Sequence, residues 1–422
     1  MNTLPFDPVL PTLAGLLDAA SMAHGFALHL RGQGLHVEGC EVERIKYRPR
    51  RNASISYRLS LRDTGDGERL ERRVAARLRE GGVLQLAWWP HDRKLDAPRV
   101  LDDGAALSAR WLPELLEAID GPGAQLQSQR VDVVQYVPEQ RLTARVALCW
   151  QRDGAPREAT VFAKASREPD GATAHGILAA LQATPAWRAG RLRTPAALLW
   201  QPQAQLHWQA AAPGIALLDH PQAARFAAPL GEQLAALHHA PIELARRLDG
   251  AALRARLAEV GDTLALVLPG SQRELRRAVG ALARGLPWLD GQPGATLHGD
   301  LHPRNVLVDG TTLTLIDLDG ARRAPALLEL GSWCADGAYR AVLAGAREQR
   351  DAGAWAALLD GYARGSGSVP AAPALAWATA WQLLTQRAWR CVVNLKPGRL
   401  AIAPRLIALA AEWAQSPWAE PA

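Results

Sequence analysis

The sequence predicts an α+β protein whose antiparallel strands lie in residues 1–212 and whose helices dominate 213–422. Three observations predict it. Strand-like runs follow one another through short polar breaks between Val131 and Lys164. Helical spacing takes over after Pro213-Gly214, as in the Leu234 and Leu237 pair of Gly231–His238. The first 130 residues also echo the strand region behind them at a nearly fixed offset.

That echo defines the first element. Tyr47-Arg48-Pro49 and Leu59 recur as Tyr136-Val137-Pro138 and Leu148, an offset of 89 residues. Val74-Ala75-Ala76-Arg77 parallels Val161-Phe162-Ala163-Lys164 at 87, and Asp7 with Leu10 resembles Asp92 with Leu95 at 85. Self-similarity at a fixed period signals repeated architecture. Residues 1–90 are therefore read as an N-terminal α+β cap, a degenerate copy of the strand region that follows, with Arg77 where the second copy has Lys164.

In the second copy, Val131–Val137 and Leu142–Trp150 alternate or run apolar around Pro138-Glu139-Gln140-Arg141. The Arg152-Asp153-Gly154 turn leads into the strand that ends at Lys164. Only four of the 48 basic residues are lysines, so a lysine closing an apolar strand of the V-A-I-K type stands out. Leu206–Ala210 reads as the last strand of this region.

Most of the chemistry is written in residues 297–320. Asp300 and Asn305 have the D-x-x-x-x-N spacing in which kinases place a carboxylate for the substrate hydroxyl proton and a carboxamide oxygen for magnesium. Val306–Val308 and Leu313–Ile316 are short apolar strands joined through Asp309-Gly310, a favoured turn dipeptide. Such a hairpin carries Asp317 back beside Asn305. Hard oxygen ligands of this type suit Mg²⁺.

Composition narrows the setting. A chain of 422 residues suffices for two or three domains. Cys40, Cys149, Cys334 and Cys391 lack CxxC or zinc-ligand spacing, which points to a reducing cytoplasm. No run of 18 apolar residues predicts a membrane helix. The net charge of +6 comes from arginines interleaved with acids, not from a tract, so a nucleic-acid partner is not expected.

His298-Gly299-Asp300, His302-Pro303, Asn305 and Ile316-Asp317-Leu318-Asp319 resemble the catalytic core of the aminoglycoside phosphotransferase family of small-molecule kinases. The resemblance extends with weaker motifs over roughly residues 130–420. It implies a two-lobed protein-kinase-like fold, with a small antiparallel β lobe at 91–212 and a large helical lobe with the catalytic loop at 213–422, preceded by the cap at 1–90 that the internal echo indicates. It further implies ATP and Mg²⁺ as cofactors and a small-molecule hydroxyl as acceptor. Asp300 takes the catalytic role, Lys164 and Arg141 the nucleotide phosphates, Gln209 and Ala210 the adenine through the hinge, and Asn305, Asp317 and Asp319 the metal.

The sequence departs from that pattern in two places. The 138–141 loop has no glycine to cradle phosphates, and 171–181 carries no carboxylate to pair with Lys164, leaving Glu168 as the nearest candidate. These departures keep a second reading open, a pseudokinase-like module that binds a nucleotide or metabolite without transfer. Glu329 and His298 are expected to brace the catalytic loop. After Gly320, eleven basic residues face seven acids, a balance that favours a neutral or anionic acceptor, first of all a sugar or similar metabolite, over a polycation.

Overall fold

The computed structural model describes residues 6–167, 170–345, 352–395 and 398–414. The chain divides into two compact units. The first holds residues 1–172, 198–209 and 393–397, and the second holds 173–197, 210–392 and 398–422.

The first unit contains two antiparallel sheets. One is β1 (Leu35–Arg48), β2 (Asn52–Asp63), β3 (Arg69–Arg79) and β4 (Leu84–Trp88), in that order. The other is built from β5 (Gln125–Val137), β6 (Arg141–Arg152), β7 (Ala155–Ser166), β8 (Ala197–Gln201) and β9 (Leu206–Ala210), in the order β5-β6-β7-β9-β8. Period-two alternation puts one face of each sheet in a core. On β2 the buried apolar side chains are Ala53, Ile55, Tyr57, Leu59 and Leu61; on β6 they are Leu142, Ala144, Val146, Leu148 and Trp150, each 89 residues later. Each face is covered by a preceding helix. Phe26 of Ala19–His29 packs edge-on against Tyr57 with ring centroids 5.3 Å apart, while Leu112, Leu115 and Leu116 of Leu112–Asp120 join the core under β6.

The two copies also share a polar bracket. Asp7 accepts hydrogen bonds from the Tyr47 hydroxyl and the Arg50 amide, each at 2.8 Å. Asp92 accepts from the Tyr136 hydroxyl at 2.7 Å and the Glu139 amide at 2.8 Å. Arg50 and Glu139 both adopt positive φ, 55° and 59°. The echoed Asp, Tyr and Pro are thus the parts of one turn-fixing device used twice. The Arg77 guanidinium donates to the Glu139 carboxylate at 2.7 Å, and Lys46 Nζ donates to Gln140 Oε1. The glycine-free loop of the second sheet is held by residues of the first.

The second unit is mainly helical. Its helices include Ala227–His238, Gly250–Val267, Gln272–Asp290, Leu327–Leu343, Ala352–Ser366, Ala372–Gln382 and Arg399–Trp413. Helices 227–238 and 352–366 approach closely enough that a Cβ on Gly231 would meet the Leu358 carbonyl and one on Gly361 the Ala228 carbonyl. Small ladders sit among the helices: β10 (Ile215–Ala216), β12 (Val306–Asp309) and β13 (Thr312–Leu315) form one, and β11 (Gly294–Leu297) pairs with β14 (Arg322–Pro325). The β12–β13 hairpin is one residue out from the expected turn. Asp309 pairs with Thr312, so the loop is Gly310-Thr311, with Gly310 at φ 57° supplying the left-handed position.

Trp377 and Trp381 are buried and stacked, ring centroids 5.7 Å apart, which makes them core side chains. Among the described residues no helix is long and apolar enough to cross a membrane.

Candidate active site

The loop between β11 and β12, which holds Asp300 and Asn305, is suspended from a buried carboxylate. Glu329, in the first turn of helix Leu327–Leu343, accepts from the amides of His298 (Oε2, 2.8 Å) and Gly299 (Oε1, 2.8 Å). Its Oε2 also lies 3.1 Å from His238 Nε2, and His238 Nδ1 is 2.9 Å from the Tyr362 hydroxyl. Burial disfavours charge on Glu329, but the His238 bond, the His238 and His298 rings and the Gly299 amide outweigh it, so its pKa is lowered. The bracing role expected of Glu329 is met.

His298 ties the loop to the far end of the hairpin. Its Nε2 donates to the Ile316 carbonyl at 2.8 Å, and the Asp300 amide approaches Nδ1 at 3.4 Å, which fixes the tautomer. Gly299 has φ 86°, and a Cβ there would collide with the Gly320 carbonyl. Only glycine permits this approach of the two loop ends. Arg322 donates to the Gly299 carbonyl on the same side.

Asn305 and Asp317 become neighbours through the backbone. The Ile316 amide donates to the Asn305 carbonyl at 2.9 Å, continuing the β12–β13 pairing to the residue before Asp317. Asp317 adopts φ 63° and ψ 49°, a left-handed conformation that Asp tolerates better than most side chains. Asn305 is buried, and its Nδ2 donates to the Asp300 carbonyl at 3.0 Å. That bond uses the amide nitrogen and leaves Oδ1 as the side chain's acceptor. Asp319 follows in a 3₁₀ turn, Leu318–Gly320, and its carbonyl accepts from Arg246 at 2.9 Å. Among the described residues no group of three or more His, Cys, Asp or Glu forms a self-sufficient metal cage. An amide oxygen and a carboxylate carried on neighbouring backbone are donors of the hard-oxygen type that Mg²⁺ takes alongside water and phosphate.

Asp300 is half-exposed and paired. Nη1 and Nη2 of Arg390 both lie 3.1 Å from its Oδ1. Burial raises the Asp300 pKa, but Arg390, His302 and Arg387 lower it by more, so the carboxyl titrates below its ordinary 3.8. Arg390 is a partner of Asp300 that sequence reasoning missed. It entered only as one arginine in a basic C-terminal region, and 90 positions separate it from its partner.

The remaining expected residues are in strands of the second sheet. Lys164 lies near the end of β7 opposite Thr143, and Arg141 opens β6 opposite Val137 and Ser166. Gln209 is buried on β9, and the amide of Ala210 donates to the Ala196 carbonyl at 2.9 Å. Glu168 lies outside the described residues.

A model of the phosphotransferase enzyme family matches residues 160–367, from within β7 through the catalytic loop to the end of helix 352–366. The match makes residues 160–367 similar to that family over just under half of the chain. The protein is accordingly a small-molecule phosphotransferase. The antiparallel sheet carrying Lys164 and the helical unit bearing Asp300 agree with the α+β class expected. Solved structures similar to this chain include a choline kinase from Streptococcus pneumoniae (12% identity, 70% of this chain and 97% of that one, TM-score 0.47). A choline/ethanolamine kinase family protein from Mesorhizobium loti is another (16% identity, 68% and 89%, TM-score 0.44). A thermostable mutant of an aminoglycoside phosphotransferase, in ternary complex with AMP-PNP and hygromycin B, is a third (14% identity, 72% and 99%, TM-score 0.47). No curated protein matches the chain.

Proposed function

We propose that this phosphotransferase moves the γ-phosphoryl group of ATP to a hydroxyl of a small metabolite, with Asp300 as the base and Asn305 and Asp317 as ligands of Mg²⁺. The observation that carries the reading is the Ile316–Asn305 backbone bond, which holds Asp317 beside Asn305 in the same structure that presents Asp300. The acceptor oxygen bonds to the γ-phosphorus while the bond to the β–γ bridging oxygen breaks. Asp300 takes the hydroxyl proton, and the nucleoside diphosphate leaves. Since Arg390 occupies Asp300 Oδ1, Oδ2 is the oxygen assigned to the acceptor. When bound, Mg²⁺ supplies charge neutralisation on the transferring phosphates. Lys164 and Arg141 are assigned to the phosphates and Asp319 to a supporting metal contact; Gln209 and Ala210 are assigned to adenine.

A cavity of about 350 Å³ supports a small organic acceptor. It is lined by Pro303 of the catalytic loop together with Trp333, Trp355, Trp413 and Arg340. Indole faces beside a charged fork suit a hydroxylated ring. A larger cavity of about 840 Å³ lies around Gln233, His239 and Thr312; neither cavity is lined by Asp300, Asn305 or Asp317, and the smaller one alone reaches their loop, at Pro303.

The test is phosphoryl transfer from γ-labelled ATP with Mg²⁺ to sugars, sugar acids, amino alcohols and nucleosides. Label in one acceptor class supports the reading. Nucleotide binding without transfer to any acceptor supports the pseudokinase-like module, which the glycine-free loop gripped by Arg77 and Lys46 favours. A companion prediction concerns the metal: Asp317→Ala weakens Mg²⁺-nucleotide binding about tenfold or more, measured by calorimetry with and without Mg²⁺. An effect equal in both conditions removes Asp317 from the metal.

A further inference from the structure

The helix carrying Arg390 is not a regular α-helix. Leu383–Ala388 is π-helical, continuing Ala372–Gln382 into Trp389–Val393. Such turns concentrate at functional sites because they re-aim side chains. Here the segment brings Arg387 and Arg390 to the catalytic loop's side of the unit, where both charges act on Asp300.

Arg387 is 8% exposed. Its Nη2 pairs with Asp336 Oδ1 at 3.2 Å, and Asp336 Oδ2 is already taken by Arg340 at 2.8 Å. The guanidinium carbons of Arg387 and Arg399 stand 5.6 and 5.2 Å from the centroid of the Tyr339 ring. Among the described residues Arg340, Arg387 and Arg390 pair with two carboxylates, Asp300 and Asp336, and Arg399 shares the Tyr339 ring with Arg387, so the four arginines outnumber the paired acids by two. Nor are their donors all used. Arg387 Nε and Arg399 Nη1 are buried and lack a hydrogen-bond partner. A buried guanidinium N–H without an acceptor has lost its water and gained nothing in return, so two such donors in a cluster of net positive charge form a seat for an oxyanion.

We infer that the acceptor carries an anionic group, a carboxylate or a phosphate, which is held by Arg387, Arg390 and Arg399 while its hydroxyl faces Asp300. The inference rests on the transferase reading for the hydroxyl and on this cluster alone for the anion. It excludes the cationic acceptors that a carboxylate-lined pocket would select, because a positive charge beside Asp300 would meet Arg390.

The test separates the two. Thermal stabilisation of the full chain, saturated with Mg²⁺ and AMP-PNP so that the nucleotide site is filled, is titrated with inorganic phosphate, acetate, glycerol and choline. Phosphate or acetate is expected to stabilise, glycerol and choline not, and Arg399→Gln should raise the half-maximal anion concentration about tenfold or more; which anion acts distinguishes phosphate from carboxylate acceptors. Arg399→Lys restores the charge without the fork and should recover part of the loss. Arg390→Gln serves as the second variant if Arg399→Gln does not fold. Absence of an anion effect in the wild type, an effect unchanged in the variant, or tighter choline binding overturns the proposal. Labelled transfer to matched sugar and sugar-acid acceptors then completes the separation. Arg399-dependent anion binding with no transfer fails the kinase reading alone. Equal kcat/KM for neutral and anionic acceptors fails the anion seat alone.

Discussion

Asp300→Asn lowers phosphoryl transfer by about 100- to 10,000-fold, the contribution of a positioned general base, while nucleotide binding persists. The carboxamide nearly matches the carboxylate in size, and the Asp300 backbone keeps its bonds to His298 Nδ1 and Asn305 Nδ2. What is lost is the proton acceptor and the negative partner of Arg390. The loss should therefore appear in kcat, with little change in the dissociation constant for Mg²⁺-AMP-PNP. Transfer within a few-fold of wild type would remove Asp300 as the base. A collapse in nucleotide affinity would instead show that the substitution had disturbed the loop.

Glu329→Gln is expected to be the most damaging substitution for stability, by about 3 kcal/mol or more, because it breaks a fully buried charged network. Two backbone amides and His238 Nε2 converge on the two carboxylate oxygens. A carboxamide has one acceptor oxygen, and its NH₂ would face another donor. The pH dependence follows from the lowered pKa. A group whose folded pKa is depressed stabilises the fold above its unfolded value, here the ordinary glutamate 4.5, and loses that contribution as pH falls through the lower folded value. The wild-type advantage over Glu329→Gln in denaturant midpoint should be full at neutral pH and shrink below about pH 4.5. An advantage independent of pH, or none, would mean that the carboxylate does not carry the loop.

Much of this architecture was legible in the sequence because it is local. The Asp300–Asn305 spacing, the apolar runs flanking Gly310 and the Leu206–Ala210 strand are written within a few residues of where they act. The echo between the two sheets was legible at longer range because the same Asp and Tyr fix a turn in each. What sequence could not show is pairing between distant helices and loops. Asp300 with Arg390, Asp336 with Arg387, and Glu329 with His238 join positions 51 to 91 residues apart. No periodicity encodes which of many arginines arrives at a given carboxylate. The π-helical stretch was equally silent, since Leu383–Ala388 has the composition of an ordinary helix, and its register decides where Arg387 and Arg390 point.

The paired brackets, Asp7 with Tyr47 and Asp92 with Tyr136, give the molecule an internal reference. One chemical event, loss of a carboxylate beneath a tyrosine, can be inflicted at two places in the same polypeptide, once in a sheet that carries Arg77 and once in the sheet that carries Lys164. The difference between the two outcomes isolates what the later sheet does for chemistry from what either does for folding. The earlier sheet thereby serves as an internal control for the later one.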